Sequence, residues 1–376
     1  MICVMSSTIL KLNINPNMLK WVKKNYGFSD NQMATKMGVE IDRYSDFESG
    51  SVKPTIRQLR SLAKQVKTPV AAFYLKKQPN GLEFPKDYRN KSEEKPLSVK
   101  ARLAIRRANH VQKYLSTNKK WAIQPIIEQY KSTYKTSELS EILRKELGYT
   151  ASLRISKDTL YDLLRNYIES LHILTLELPL PQKELRGFSL HGKPTIISTA
   201  VGDSIAGRIF SILHEFAHII KHDEGMCQPY EKYDDKTSSE WFCNQFAADF
   251  LITEAEFRQH IGKNPDVSDD RLKDLADAFK TSREVILIRM IHGGLSNWNV
   301  YQKKRAEWKM EYEKQSKFFN QPNPINRALR ENSKNYASEI YEQLHSERIT
   351  YSEAADYLGV NINYVDLVGE KLSDSR

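Results

Sequence analysis

The stretch from Ile205 to Ile220 constrains this chain more than any other. Ile205, Ile209, Ile212, Leu213, Phe216, Ile219 and Ile220 leave almost no polar face, which predicts a buried helix. Asp203 or Ser204 can cap it, and it is expected to run to about His222 and end by Gly225. Inside it stands His214-Glu215-Phe216-Ala217-His218. Two imidazoles in an apolar helix are costly unless something uses them. Residues four apart project from one face, so His214 and His218 can reach one ion, with Glu215 beside them. H-E-x-x-H at this spacing is a zinc motif in which the histidines ligate Zn2+ and the glutamate is the general base.

A third ligand has to come from elsewhere. The extension that supplies a third histidine in metzincins is absent. His222 is rotated from His214 by about 80° and lies about 12 Å along the axis, so it reads as a C-terminal histidine facing the helix dipole. The next helix, expected over Ser238 to Ile252, places Glu240 and Asn244 on one face. Asp249 is about 180° round, and Glu254 about 21 Å further along. Glu240 is therefore the expected third ligand, leaving an open position for water, and Asn244 the expected group behind a ligand. Asp223, Glu224, Asp234 and Asp235 in the intervening loop compete less well. Cys227 and Cys243 are the nearby thiols, and a thiolate ligand from either stands open, although Cys243, about 300° on from Glu240, reads more simply as a core residue. For the oxyanion, His260 and several tyrosines stand open.

Upstream, Leu171 to Leu176 reads as a strand, and Gly187 to Leu190 with Thr195 to Thr199 as a hairpin about His191-Gly192. Either hairpin strand could serve as an edge that pairs with a peptide, or both could be scaffold. Ser98 to about Tyr134, Ser137 to Leu147 and Ser156 to Ser170 read as amphipathic helices.

Asn17 to about Leu75 reads as five short helices, punctuated by Gly27, Gly38 and Gly50, with Pro54 as a first-turn proline and Pro69 opening the last. Met33-Ala34, Gly38-Val39 and Ile41 have helix-turn-helix spacing. With Phe47-Glu48-Ser49-Gly50, Pro54-Thr55 and Leu59-x-x-Leu62-Ala63, this segment resembles the Xre, lambda-repressor-like family. Lys36, Arg43 and Tyr44 are its candidate DNA contacts. The recognition helix nevertheless carries Glu40, Asp42, Asp46 and Glu48, carboxylates that would meet phosphates. Double-stranded DNA and a protein partner stand as equal readings.

His214 to His218, followed by Glu240-x-x-x-Asn244-x-Phe246-Ala247, resembles the ImmA/IrrE metallopeptidases. Asp87-Tyr88-Arg89, Phe279-x-x-Ser282-Arg283-Glu284, Val285-x-Leu287-Ile288-Arg289 and Ile349 to Gly359 extend the likeness. A bulky Ala248-Asp249-Phe250 departs from it. The resemblance implies His214, His218 and Glu240 as zinc ligands, Glu215 as base, and an Xre-type repressor or antitoxin-like protein as substrate, in mobile elements, phage defence or stress responses. The alternative is a DNA-binding transcriptional regulator whose zinc domain senses or binds without cutting.

The expected fold is mainly α with a small β-sheet (α+β). Its parts are a helix-turn-helix domain over 1–76, a linker over 77–97, a zincin-like domain over 98–260 and a helical region over 261–376. Three scattered cysteines and a net charge of +10 fit a reducing compartment and leave anionic partners open. No stretch reaches a membrane-spanning length. The short apolar N-terminus, with Met5 as an alternative start, does not read as a secretory signal, so a cytoplasmic chain is expected.

Overall fold

The structure, a computed structural model, describes residues 13–66, 68–79, 97–222, 226–227, 238–261, 266–315 and 323–374. It is mainly helical with one small sheet. The chain divides into two compact units, Met1–Phe84 with Ser92–Arg107, and Pro85–Lys91 with Ala108–Arg376. Most of the expected linker, including Asp87-Tyr88-Arg89, lies outside the described residues.

The first unit holds α1 (Pro16–Tyr26), α2 (Asp30–Met37), α3 (Ile41–Ser49), α4 (Ile56–Gln65) and a 3-10 turn over Val70–Tyr74. Ser29 with Gln32, and Thr55 with Gln58, form reciprocal capping boxes, so two backbone donors at each helix start are satisfied. Thr55 is the cap of α4, which puts Pro54 just outside the helix instead of in its first turn. Gly38, at φ +69°, ends α2 in the left-handed region that lacks a steric penalty only for glycine. The Val39 N–H then returns to the Ala34 carbonyl at 3.0 Å. Met18, Leu19, Val22, Met33, Tyr44, Phe47, Leu59 and Leu62 form the core.

The second unit begins in α5 (Val99–Leu115) and continues with α6 (Thr136–Leu147), α7 (Lys157–Ser170), β1 (Ile173–Leu178), β2 (Gly187–Leu190), β3 (Thr195–Ala200), α8 (Ile205–Ile220), β4 (Met226–Cys227) and α9 (Ser239–Leu251). After these come α10 (Glu254–Ile261), α11 (Asp269–Ala278), α12 (Arg283–His292) and α13 (Trp298–Gln315). The last four are α14 (Pro324–Asn332), α15 (Lys334–His345), α16 (Tyr351–Leu358) and α17 (Val365–Ser373).

Helix α5 stops at Leu115, well short of the expected Tyr134. Ser116 and Thr117 turn their hydroxyls onto the Lys113 and Tyr114 carbonyls, and the Asn118 side chain takes the Lys120 N–H. Such local bonds compete with helix propagation. Strand β1 starts two residues later than expected, because Leu171 closes α7 and His172 sits at φ +60°.

The sheet order is β1-β3-β2-β4, with β1 parallel to β3 and the other pairs antiparallel. β3 is therefore interior, and Thr195 to Thr199 cannot be an edge that receives a peptide. β2 is already paired on its outer side with β4 at Gly187 and Phe188.

Helix α8 packs against α7, α9, β2 and β3. Ile209, Ile212, Leu213, Phe216, Ala217, Ile219 and Ile220 are at most 1% exposed, and each large side chain so buried stabilises by roughly 1.5–3 kcal/mol.

A charged cluster locks this layer. Glu177 of β1, 1% exposed, accepts from Arg165 Nη1 at 3.2 Å and Arg208 Nη1 at 2.9 Å, with Arg330 Nε at 3.7 Å. One carboxylate thus joins α7, α8 and α14 at the strand's end. Removing one partner of a buried pair costs about 3–5 kcal/mol. Glu177→Ala is accordingly expected to lower unfolding free energy by about 3 kcal/mol or more in urea titration. A loss under about 1 kcal/mol would contradict this role.

Candidate metal centre

Helix α8 is capped by Ser204, whose hydroxyl accepts from the Gly207 N–H. It ends at Ile220, and His222 follows, exposed and at φ +56°, in the conformation that more often falls to glycine. His222 therefore points out of the metal helix and joins no cluster in it. Ser238 caps α9 through the Trp241 N–H, which sets the phase of Glu240 opposite the two histidines.

His214, His218 and Glu240 meet in the interior, at 1%, 0% and 3% exposure. The two Nε2 atoms are 3.1 Å apart. Glu240 Oε2 is 3.4 Å from His214 Nε2, and Oε1 is 3.3 Å from His218 Nε2. Donors bound to one zinc at 2.0–2.1 Å with tetrahedral angles stand about 3.3–3.4 Å from each other. The two carboxylate contacts, each made by a different oxygen of Glu240, match that spacing and the Nε2–Nε2 distance is slightly shorter, so the residues present fit a divalent cation with N and O ligands. The adjacent imidazoles hold the Glu240 carboxyl well below the usual carboxylate range, against the opposing effect of burial.

Asn244, one turn after Glu240, places Oδ1 3.0 Å from His214 Nδ1. With Nε2 carrying the lone pair toward the centre, Nδ1–H donates to this amide, which fixes both tautomer and ring orientation. Asn244 thus contacts the far side of the His214 ring.

Cys243 is a core residue, 0% exposed, and its offset of about 300° from Glu240 in one direction is about 60° in the other. Its buried thiol lies with the His214 and His218 ring nitrogens, all within 4.8 Å of one another. The thiol is a further donor beside the cluster, and the carboxylate edges of 3.3–3.4 Å are the tighter ones. The loop carboxylates Asp223, Glu224, Asp234 and Asp235 lie outside the described residues, as does the Cys227 side chain. His260 is exposed, with Nδ1 2.8 Å from the Glu256 carbonyl.

Glu215 is fully buried on the β2 side of α8. Ser189 of β2 hydrogen-bonds its carboxylate. A Cβ on Gly187 would come 2.9 Å from the Ser198 carbonyl and 3.3 Å from Glu215 Oε1, so only glycine leaves room for both. Sequence reasoning missed Gly187 and Ser189. The one available signal was their place in a strand directly before the metal helix.

Burial raises the Glu215 pKa, partly offset by the two histidines and the Ser189 hydroxyl. A carboxyl raised in the folded state favours folding fully below its unfolded pKa. That contribution is lost as pH rises through the folded value. In metal-free protein, Glu215→Gln should therefore melt higher than the parent at pH 7–8, with the gap closing toward pH 4. A gap that widens on acidification would contradict the assignment.

Residues 168–290 match the family model Peptidase_M78, the IrrE N-terminal-like domain. The match runs from the end of α7 through most of α12 and contains the whole cluster. It supports a metallopeptidase-type function. No curated protein matches the chain.

The DNA-contact candidates fare differently. Tyr44 is 1% exposed and donates its hydroxyl to Glu48, so it belongs to the core of the first unit and cannot touch a groove. Lys36 donates to Gln65 and lies over the Phe28 ring. Arg43 remains exposed, 3.8 Å from Asp46. Among the described residues no helix is long and apolar enough to cross a membrane.

Proposed function

We propose that this chain is a zinc-dependent regulatory endopeptidase. The observation that carries the reading is the convergence of two Nε2 atoms and one carboxylate, at separations of 3.1–3.4 Å, beside a buried Glu215 and inside the stretch that matches Peptidase_M78. His214, His218 and Glu240 would hold zinc. When bound, zinc supplies a Lewis acid for the scissile carbonyl and for an attacking water. Glu215 takes the proton from that water and returns it to the leaving nitrogen. Ser189 and the absence of a side chain at Gly187 hold the Glu215 carboxylate in place, and Asn244 holds the His214 ring.

The substrate class we infer is a helix-turn-helix repressor or an antitoxin-like protein. This rests on what the resemblance to the ImmA/IrrE metallopeptidases implies, together with the likeness of the first unit to the Xre family. Zinc-loaded protein, incubated with the proteins encoded beside it, should yield two discrete fragments of one of them. Glu215→Gln should cut that protein at least about 100-fold more slowly, the lower range for loss of a general base. Full regulatory activity of Glu215→Gln in cells would favour the alternative, a DNA-binding regulator that senses through its metal domain. For that reading the exposed Lys53, Arg57, Arg60 and Lys64 on and before α4 are better phosphate partners than the acidic α3.

A further inference from the structure

Next to the three converging donors lies a pocket built by α8, α9 and α12. Helix α9 contributes Trp241, Asn244 and Ala248, spaced by three and four residues and so aligned along one face. Helix α12 answers with Val285, Ile288 and Arg289 on the same kind of stripe, and Phe210 of α8 closes the side toward His214. Asn244 connects pocket and centre directly. It lines the one, and its Oδ1 is 3.0 Å from His214 Nδ1 in the other. The Phe210 ring centroid is 6.4 Å from that of His214.

The walls are mostly carbon; His292 of α12 also lines them, and the Arg289 guanidinium is already engaged. Arg289 Nη1 is 3.2 Å from Asp249 Oδ1, and Nη2 is 3.3 Å from Glu254 Oε2. Gln245 and Thr136 complete the hydrogen bonding of Asp249 at 2.7 Å each. A carboxylate entering the pocket would have to compete with two acids for one guanidinium. An apolar group would only displace water from Phe210, Trp241, Val285 and Ile288, the favourable exchange for an apolar-lined site.

We propose that this pocket receives a large apolar side chain of the substrate, of the leucine or phenylalanine class, adjacent to the bond cleaved. The inference rests on the peptidase reading and adds what that reading does not specify, which side chain selects the bond. Ala248 is the smallest wall residue, so its size sets how much of the pocket is open. Arg289, tied to two acids, acts as a neutral part of the wall.

The test uses full-length zinc-loaded protein and two peptides that differ only by Leu or Ala at the selecting position, drawn from the mapped cleavage site or, failing one, from a random peptide pool. Parent protein should prefer the Leu peptide by about tenfold or more in kcat/KM, within the range for burying a few methylenes. Ala248→Phe should erase that preference while leaving zinc content close to the parent's. Ala248→Val, a milder filling, should give an intermediate preference. A parent without preference, or an Ala248→Phe protein that keeps it, would overturn the pocket and leave the peptidase reading standing. If the parent cleaves neither peptide, the peptidase reading fails. Calorimetric binding to Glu215→Gln then decides the pocket: Leu-selective binding lost in Glu215→Gln/Ala248→Phe supports it, and equal binding of both peptides overturns it.

Discussion

Everything in the second unit is arranged around one electrostatic requirement. Two imidazoles and two carboxylates sit in an apolar interior, and three of these groups aim at one point. Isolated polar groups in such a place are destabilising by several kcal/mol, and two facing imidazole nitrogens 3.1 Å apart repel unless a proton or a cation lies between them. A divalent cation satisfies both nitrogens and the Glu240 carboxylate at once. Packing supplies the rest, since α8 is held on every side by buried aliphatic and aromatic side chains. The cost of the polar cluster is thereby spread over a large apolar contact.

Positioning works by helix phase and by the sheet. Ser204 and Ser238 fix the starts of α8 and α9, so the angular placement of His214, His218 and Glu240 follows from two capped helices packed face to face. β2 runs beside α8 and brings Ser189 and Gly187 to Glu215. At the other end of the layer, Glu177 ties the sheet to α7, α8 and α14. The stretch 261–376 belongs to the same compact unit as the metal helix.

Much of this was legible in the sequence because it obeys local periodicity. H-E-x-x-H on an apolar helix and Glu240 one phase-matched helix later needed no tertiary knowledge beyond 100° per residue. The strands and caps around them were readable in outline for the same reason. What escaped depends on contacts between elements. Which strand is interior follows from pairing, so the expectation that β3 could hold a peptide failed. Tyr44 looked like a groove contact on an exposed helix, yet it faces the core once α3 packs. Cys243 is buried in the core as helix phase suggested, and its nearness to the two histidines depends on how α8 and α9 pack. Gly187, Ser189 and the pocket across α8, α9 and α12 arise from juxtapositions that no single segment encodes.

The central claim is that the three converging groups hold zinc. Metal content after purification and dialysis, measured by inductively coupled plasma mass spectrometry on parent and variants, tests it most directly. The account predicts one zinc per chain in the parent and in Glu215→Gln. It predicts loss of most of that zinc in His214→Ala, His218→Ala and Glu240→Ala, each checked for a folded circular dichroism spectrum. A folded parent that binds no zinc, or a Glu240→Ala protein that holds it undiminished, would contradict the account.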